Sequence, residues 1–327
     1  MIQVRTSSNE LLILNDKPMG KGGEGGVYRI LTPLKYRDCC VKLYAQPKSE
    51  IQKKIDFMVK YPPDFLRQNL KICWPQSLVF DANQANKFLG FLMPMAFPAS
   101  CSLQTLLVSG HRLDWSQKFN RDTSQGFNNC IALAKNVALV TYVLHQMGDE
   151  LNRGSGYVIG DLKPDNIMVN ENGQVSLIDV DSIQINARNV VFPVSAFSPD
   201  YSSPELSSKG NSQPIQTSSD NFTLAIILYR IIVGIHPFMG TVRHRNGLAV
   251  QDAIAGGYYV HGRRKNDFEV IPPIHNRLMM AGREVREYFR YALDEGIFNP
   301  SIRPSASGWS KMLHEELHSN KFANRCL

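Results

Sequence analysis

Over the first ninety or so positions, apolar and polar residues alternate in short runs, a pattern that predicts strands with one helix. Leu11 to Leu14 is apolar, Val27 to Ile30 alternates, and Cys39 to Tyr44 is a further short strand. Ser49 to Val59 carries Ile51, Ile55, Phe57, Met58 and Val59 at helical spacing. That helix stops before Tyr61-Pro62-Pro63, because proline breaks a helix and pushes its predecessor out of the α region. Leu78 to Phe80 and Phe88 to Met93 predict a last strand pair joined by a polar loop. Pro94 to Ser100, with two prolines and small residues, reads as a hinge. Beyond it the pattern turns helical. Cys130 to Met147 repeats its apolar positions at helical spacing, and Asp220 to Val233 is nearly all apolar, as in a buried helix. Arg283 to Leu293 and Ala306 to Leu317 are amphipathic helices near the end of the chain. A strand-rich front and a helix-rich back predict an α+β chain with lobes at residues 1–94 and 95–327.

Composition narrows the class without naming a function. The 327 residues are 43% hydrophobic and 20% charged, which is ordinary globular usage. The first residues lack a basic region followed by an apolar run. The longest apolar run, Phe222 to Ile235, is too short to span a bilayer and holds Arg230. These features predict a soluble cytoplasmic protein with no membrane partner. The six cysteines include no Cys-x-x-Cys pair and no zinc-ligand spacing, which predicts reduced thiols. The net charge is +7, but the basic residues are scattered. The clusters Arg243-His244-Arg245 and Arg263-Arg264-Lys265 read as solvated loops, with docking of an acidic partner as the alternative. A nucleic-acid surface would show a basic stripe with aromatics, so nucleic acid is not an expected partner.

The chemistry concentrates between Ile159 and Asp181. Asp161, Lys163, Asn166 and Asp179 stand in the order and spacing of a phosphoryl-transfer site. Upstream, Gly20 to Val27 contains G-x-G-x-x-G-x-V through Gly20, Gly22, Gly25 and Val27. Glycines there let the backbone approach phosphates. A strand pattern and Lys42 follow, where a dinucleotide fold would have a helix, so the turn reads as a lid between two strands.

Together these segments resemble the protein kinase family. Asp161-Leu162-Lys163-Pro164-Asp165-Asn166 resembles its catalytic loop, and Asp179-Val180-Asp181 its metal-binding triplet. Tyr201-Ser202-Ser203-Pro204-Glu205 resembles the segment that ends the activation loop. Asp220 to Tyr229, running on to His236-Pro237-Phe238, resembles the central helix of the C-lobe. The resemblance runs from Gly20 to about Leu317 and implies a bilobal kinase fold, with ATP and Mg²⁺ as cofactors. It implies that Lys42 touches the α- and β-phosphates, with an acid of the following helix, Glu50 or Asp56, as its ion-pair partner. Glu50 lies early on that helix, and Lys53 and Lys54 stand where an acid is expected. It also implies that adenine lies near Met93 and Met95, with Met93 as gatekeeper. Asp161 would orient the acceptor hydroxyl and take its proton, and Lys163 would neutralise the γ-phosphoryl group. Asn166 and Asp179 would hold magnesium. Glu205 would pair with Arg303, and Asp220 would bond the catalytic-loop backbone. Lys163 implies Ser/Thr rather than Tyr specificity.

Three departures matter. Ile159-Gly160 replaces the usual His-Arg, Val180 replaces phenylalanine, and Asp181 replaces glycine. Without the arginine, a phosphorylated activation loop loses its charge partner, which predicts activity independent of Ser195, Ser198, Ser202 and Ser203. For Asp181, solvent exposure is the leading expectation, ahead of metal binding or capping. The same departures motivate an alternative, a nucleotide-binding pseudokinase scaffold. The pattern is similar to a divergent bacterial branch of eukaryotic-type Ser/Thr kinases in tellurite-resistance-type operons. That likeness implies a PP2C-type phosphatase and a von Willebrand A protein as partners, beside an unidentified protein substrate.

Overall fold

The computed structural model describes residues 1–62, 69–84, 86–108, 114–152, 157–187, 190–194, 197–209, 214–245 and 247–319. It divides into two compact units. The first comprises Met1–Leu66, Lys71–Ala96 and Ser176–Asp181, and the second takes the rest. The boundary therefore falls at Ala96 rather than at position 94. The end of the Val175–Leu177 strand and the Asp179-Val180-Asp181 triplet belong to the strand-rich unit, which chain order alone does not suggest.

The first unit is built from β1 (Ile2–Thr6), β2 (Leu11–Leu14), β3 (Gly20–Lys21), β4 (Gly25–Thr32), β5 (Cys39–Tyr44), helix α1 (Ser49–Lys60), β6 (Leu70–Ile72, its first residue assigned to the second unit), β7 (Ser77–Asp81) and β8 (Phe88–Pro94). The strand β5 begins and ends at the residues expected from the sequence, and α1 runs one residue past Val59. The sequence pattern did not single out β1. The order β2-β1-β7-β8-β5-β4 closes through an added β2–β4 pairing, so the strand-rich unit is a barrel rather than an open sheet. Closure removes the unpaired edges that an open sheet would expose. Val4, Leu12, Leu14, Ile30, Val41, Val79 and Leu92 fill its inside. Side chains alternate faces along a strand, so Cys40, Lys42 and Tyr44 project opposite to Val41. Helix α1 packs against β7 and β8, and Trp74 Nε1 donates to Met58 O at 2.8 Å near its end.

The second unit contains β9 (Cys101–Ser102), α2 (Leu103–Leu107), α3 (Ser124–Asn152), β10 (Ile167–Val169), β11 (Val175–Leu177, shared with the first unit), β12 (Ile185–Ala187), β13 (Val190–Phe192), α4 (Pro204–Lys209) and α5 (Thr217–Val233). It ends with β14 (Thr241–Val242), α6 (Val250–Ala255), β15 (Phe268–Val270), α7 (Arg283–Leu293) and α8 (Ala306–His318). Helix α5 is buried along nearly its whole length, as its apolar run predicted, and α3 packs on it and on α8. Over Ser124–Gln146, α3 is itself long and apolar enough to cross a membrane by composition, which the reading based on Phe222 to Ile235 overlooked. Phe289, Trp309 and Tyr229 anchor the helical core.

Cys39, Cys40, Cys73, Cys101 and Cys130 are free thiols, and Cys326 lies outside the described residues. Burial pushes Cys40 and Cys73 up to about 12, so neither forms a reactive thiolate near neutral pH.

Candidate active site

In the first unit, β3 and β4 form a hairpin with Gly20 opposite Val27. This is the strand–turn–strand arrangement of a lid, and no helix follows it. Gly20 and Gly22 are exposed with open space where a Cβ would stand. Gly25 is different. A Cβ there would lie 2.0 Å from Leu43 O, so only glycine lets β4 run this close to β5.

Val27 stands directly across from Lys42, and Lys42 across from Phe91 on β8. Met93 pairs with Cys40, two residues from Lys42, so Met93 shares the lysine's face of the barrel and is buried there. Met95 is half-buried, and its N–H donates to Asp38 O at 2.9 Å.

The ammonium of Lys42 is the centre of a buried charge cluster. Nζ donates to Asp179 Oδ1 at 2.6 Å and to Asp181 Oδ1 and Oδ2 at 2.9 and 2.7 Å. Glu24, at the tip of the glycine turn, lies 3.5 Å from the same nitrogen. Tyr44, two residues along the strand, donates its hydroxyl to Asp181 Oδ2 at 2.6 Å. Burial works against the charged lysine, but the charges of Asp181 and Asp179 outweigh it and hold its pKa above the ordinary lysine value. Burial and the Asp181 charge push the Tyr44 phenol upward, so it stays a hydrogen-bond donor.

Two expectations need correction. Glu50 is exposed in the first turn of α1 and is not a partner of Lys42, and Asp56 is tied to Lys60 at 2.6 Å. Asp181 does not point to solvent, since its side chain is 3% exposed and fully engaged with Lys42 and Tyr44. Helix α1 offers the cluster a cation instead. Lys54 is buried, and burial lowers it to about 8 against the favourable charges of Asp181 and Glu24.

Asp179 itself has φ 60°, a left-handed backbone that aspartate tolerates better than bulkier residues. It keeps its side chain 36% exposed. Such strain concentrates at functional positions.

In the second unit, Asp161 is buried. Its Oδ2 accepts from Lys163 Nζ at 2.5 Å, and its Oδ1 accepts from the Ser198 hydroxyl at 2.7 Å. Asn166 Nδ2 donates to the Asp161 carbonyl at 3.0 Å, which pins the amide while its oxygen accepts no hydrogen bond among the described residues. Asp220, at the buried start of α5, accepts from the N–H groups of Ile159 and Gly160 at 2.7 and 2.8 Å and contacts His145 Nε2 at 2.9 Å. The loop carrying Asp161 is therefore bolted to the central helix through its backbone. Glu205 and Arg303 form the expected two-pronged pair, at 2.5 and 2.9 Å.

Gly160 explains the missing arginine. Its φ is +70°, and a Cβ there would meet Val194 Cγ2 at 2.5 Å. Val158, Val194, Leu206 and Ile215 fill that space, with Phe197 against them. Ser202 and Ser203 are buried, Ser198 is bound to Asp161, and Ser195 lies outside the described residues.

Comparison with known proteins bears on the same segments. The chain matches the protein kinase domain over residues 114–278, just over half its length. This chain belongs to the protein kinase family. It is 27% identical over 320 residues to the protein kinase YegI of Escherichia coli K12, an alignment covering 94% of this chain and 45% of that protein. It is 30% identical over 135 residues to the serine/threonine-protein kinase PEPKR2 of Arabidopsis thaliana, covering 41% of this chain and 26% of that one. It is 32% identical over 92 residues to the serine/threonine-protein kinase PknL of Mycobacterium tuberculosis, covering 26% of this chain and 21% of that one. The chain thus spans less than half the length of its YegI relative.

Sequence reasoning missed Tyr44, Lys54 and Ser198 as members of the site. Tyr44 was recoverable from its strand, because residues two apart share a face. No local signal distinguished Ser198 from the neighbouring serines.

Proposed function

We propose that this chain transfers the γ-phosphoryl group of ATP, with Mg²⁺, to serine or threonine hydroxyls of a protein substrate. The observation carrying this reading is the 2.6 Å contact between Lys42 and Asp179, which lie 137 residues apart in sequence. It sets the cation of the strand after the glycine turn beside the acid of the Asp179–Asp181 triplet, the phosphate-binding and metal-binding groups that phosphoryl transfer in this family uses together. Asp179 in the first unit offers carboxylate oxygens and Asn166 in the second an amide oxygen, the hard donors that magnesium takes. A divalent ion held by Asn166 and Asp179 would screen charge between phosphate oxygens. The glycine turn of Gly20, Gly22 and Gly25 would cover the phosphates with backbone N–H groups. Lys42 would bind the α- and β-phosphate oxygens, with Val27, Met93 and Met95 toward the base. Asp161 would accept the proton of the acceptor hydroxyl as its oxygen bonds the γ-phosphorus and ADP leaves. Its Oδ1 already accepts one hydroxyl, that of Ser198. Lys163 would neutralise the transferring group, and its position two residues after Asp161 supports Ser/Thr acceptors.

The apolar packing around Gly160 supports activity that does not depend on activation-segment phosphorylation, because apolar contacts stand where an arginine–phosphate pair would be. A cytoplasmic location, a bacterial signalling or stress operon, and a PP2C-type phosphatase and von Willebrand A protein as partners complete the proposal.

The test is incubation with labelled ATP and Mg²⁺ beside Asp161→Ala and Asp179→Ala. Wild-type protein should incorporate label into itself or a generic acceptor, with each variant reduced by at least about a hundredfold. Equal label in all three would leave a nucleotide-binding scaffold as the surviving reading.

A further inference from the structure

The charge cluster in the strand-rich unit has its acid in an unexpected place. Helix α1 lies beside Lys42 in sequence, yet neither of its acids reaches the ammonium, and its one buried charged side chain is Lys54. Lys54 makes no hydrogen bond or ion pair among the described residues. It carries the same sign as Lys42, so it disfavours any arrangement that leaves Lys42 without an acid. Asp181, by contrast, grips Lys42 through both carboxylate oxygens and is itself fixed by the Tyr44 hydroxyl. Asp179 also touches Lys42, but its side chain is 36% exposed, whereas that of Asp181 is 3% exposed. One aspartate is thus accessible to a ligand and the other is committed to the protein.

We propose that Asp181 is the positioning residue for Lys42, taking over from the segment after β11 the task that the family pattern gives to an acid on the helix after β5. Lys54 is the counterpart of that exchange. The helix carries the cation and the triplet carries the acid, so the pair is inverted between the two elements. Asp181 does not touch substrate. It acts by holding the ammonium of Lys42 on its strand, with Tyr44 fixing one carboxylate oxygen. The pose of Lys42 then depends on the Asp179–Asp181 segment, and a shift of α1 does not break it.

This inference rests on the proposed kinase reading, and two measurements separate their failures. The first is the equilibrium affinity for MgATP, and the second is the split between KM for ATP and kcat. Asp181→Asn should weaken MgATP binding and raise KM for ATP, lowering kcat/KM by on the order of a hundredfold, the usual penalty for a misplaced binding group. Glu50→Gln should stay within about threefold of wild type, as expected for an exposed acid. The double variant Lys54→Glu with Asp181→Gly restores the family's arrangement and should recover at least about tenfold in kcat/KM over Asp181→Gly alone. Thermal melting of each variant shows whether it is folded, and the double variant reads the proposal even where Asp181→Asn melts early. Wild-type MgATP affinity in folded Asp181→Asn would overturn the proposal. So would an equal loss in Glu50→Gln, or no recovery in a folded double variant. If wild-type protein transfers no phosphate, the kinase reading falls, while MgATP affinity still decides the role of Asp181.

Discussion

Breaking the Glu205–Arg303 pair from one side should be among the most damaging changes to the helical unit. The Arg303 guanidinium is fully buried. Beyond its two bonds to Glu205, it donates to Gly296 O at 2.7 Å and Ser218 O at 2.9 Å, and it lies 5.0 Å from the Phe222 ring centre. Burial opposes ionisation of Glu205, but the hydrogen bond and charge of Arg303 prevail and hold its pKa below the ordinary value. Glu205→Ala strands the guanidinium without a counter-charge, at about 3–5 kcal/mol. Glu205→Gln keeps one acceptor and the side-chain shape, and should cost about 1–3 kcal/mol. Arg303→Met leaves Glu205, 22% exposed, with some access to water, but it removes the donor that Arg303 gives to the carbonyls of Gly296 and Ser218. The double variant Glu205→Met with Arg303→Met removes both charges, and should be milder than the summed singles by at least about 2 kcal/mol. Urea unfolding followed by tryptophan fluorescence is the assay, since Trp309 is fully buried in the same unit. Melting of Glu205→Ala should fall by on the order of 10 °C. A cost under about 1 kcal/mol for Glu205→Ala, or strict additivity in the cycle, would refute the reasoning.

Two further outcomes are expected. Gly160→Ala should destabilise the protein by about 2 kcal/mol or more, because it combines a positive φ with a 2.5 Å approach to Val194; thermal melting that matches wild type would contradict the packing account. Burial holds His236 down to about 3 and His261 down to about 4, so the unfolded chain binds protons that the folded one refuses as pH falls below about 6.5. Stability should be full above that pH and decline by about 1.4 kcal/mol per unit for each histidine down toward pH 4. Melting measured at pH 7.5, 6.5 and 5.5 checks the sign, and a flat profile would count against it.

Most of the architecture was legible locally. The strand Cys39–Tyr44 and the helix Arg283–Leu293 match their expected spans to the residue, because a short run rich in apolar residues and a helical periodicity each report burial directly. The Asp161–Asn166 loop and the Asp179–Asp181 triplet stood out as a motif, since they fall within 23 consecutive residues from Ile159 to Asp181. The helix acid was the failure. Spacing identified Lys42 but offered no means to find its partner, and proximity in sequence favoured Glu50 over a residue 139 positions away.

Sequence by itself determined the strand-rich front, the helix-rich back, the glycine turn, and the set of groups proposed for phosphoryl chemistry, all of which depend on neighbours a few positions apart. Only the tertiary structure decided that the strands close into a barrel, that Val194 excludes any side chain at Gly160, and that Asp181 rather than a helix acid holds Lys42. Those outcomes depend on strand register and side-chain packing, which bring together groups that local periodicity does not connect. Once Lys42 and Lys54 are both buried, the low-dielectric surroundings demand an acid, and the one that meets the demand is set by where the chain returns in space.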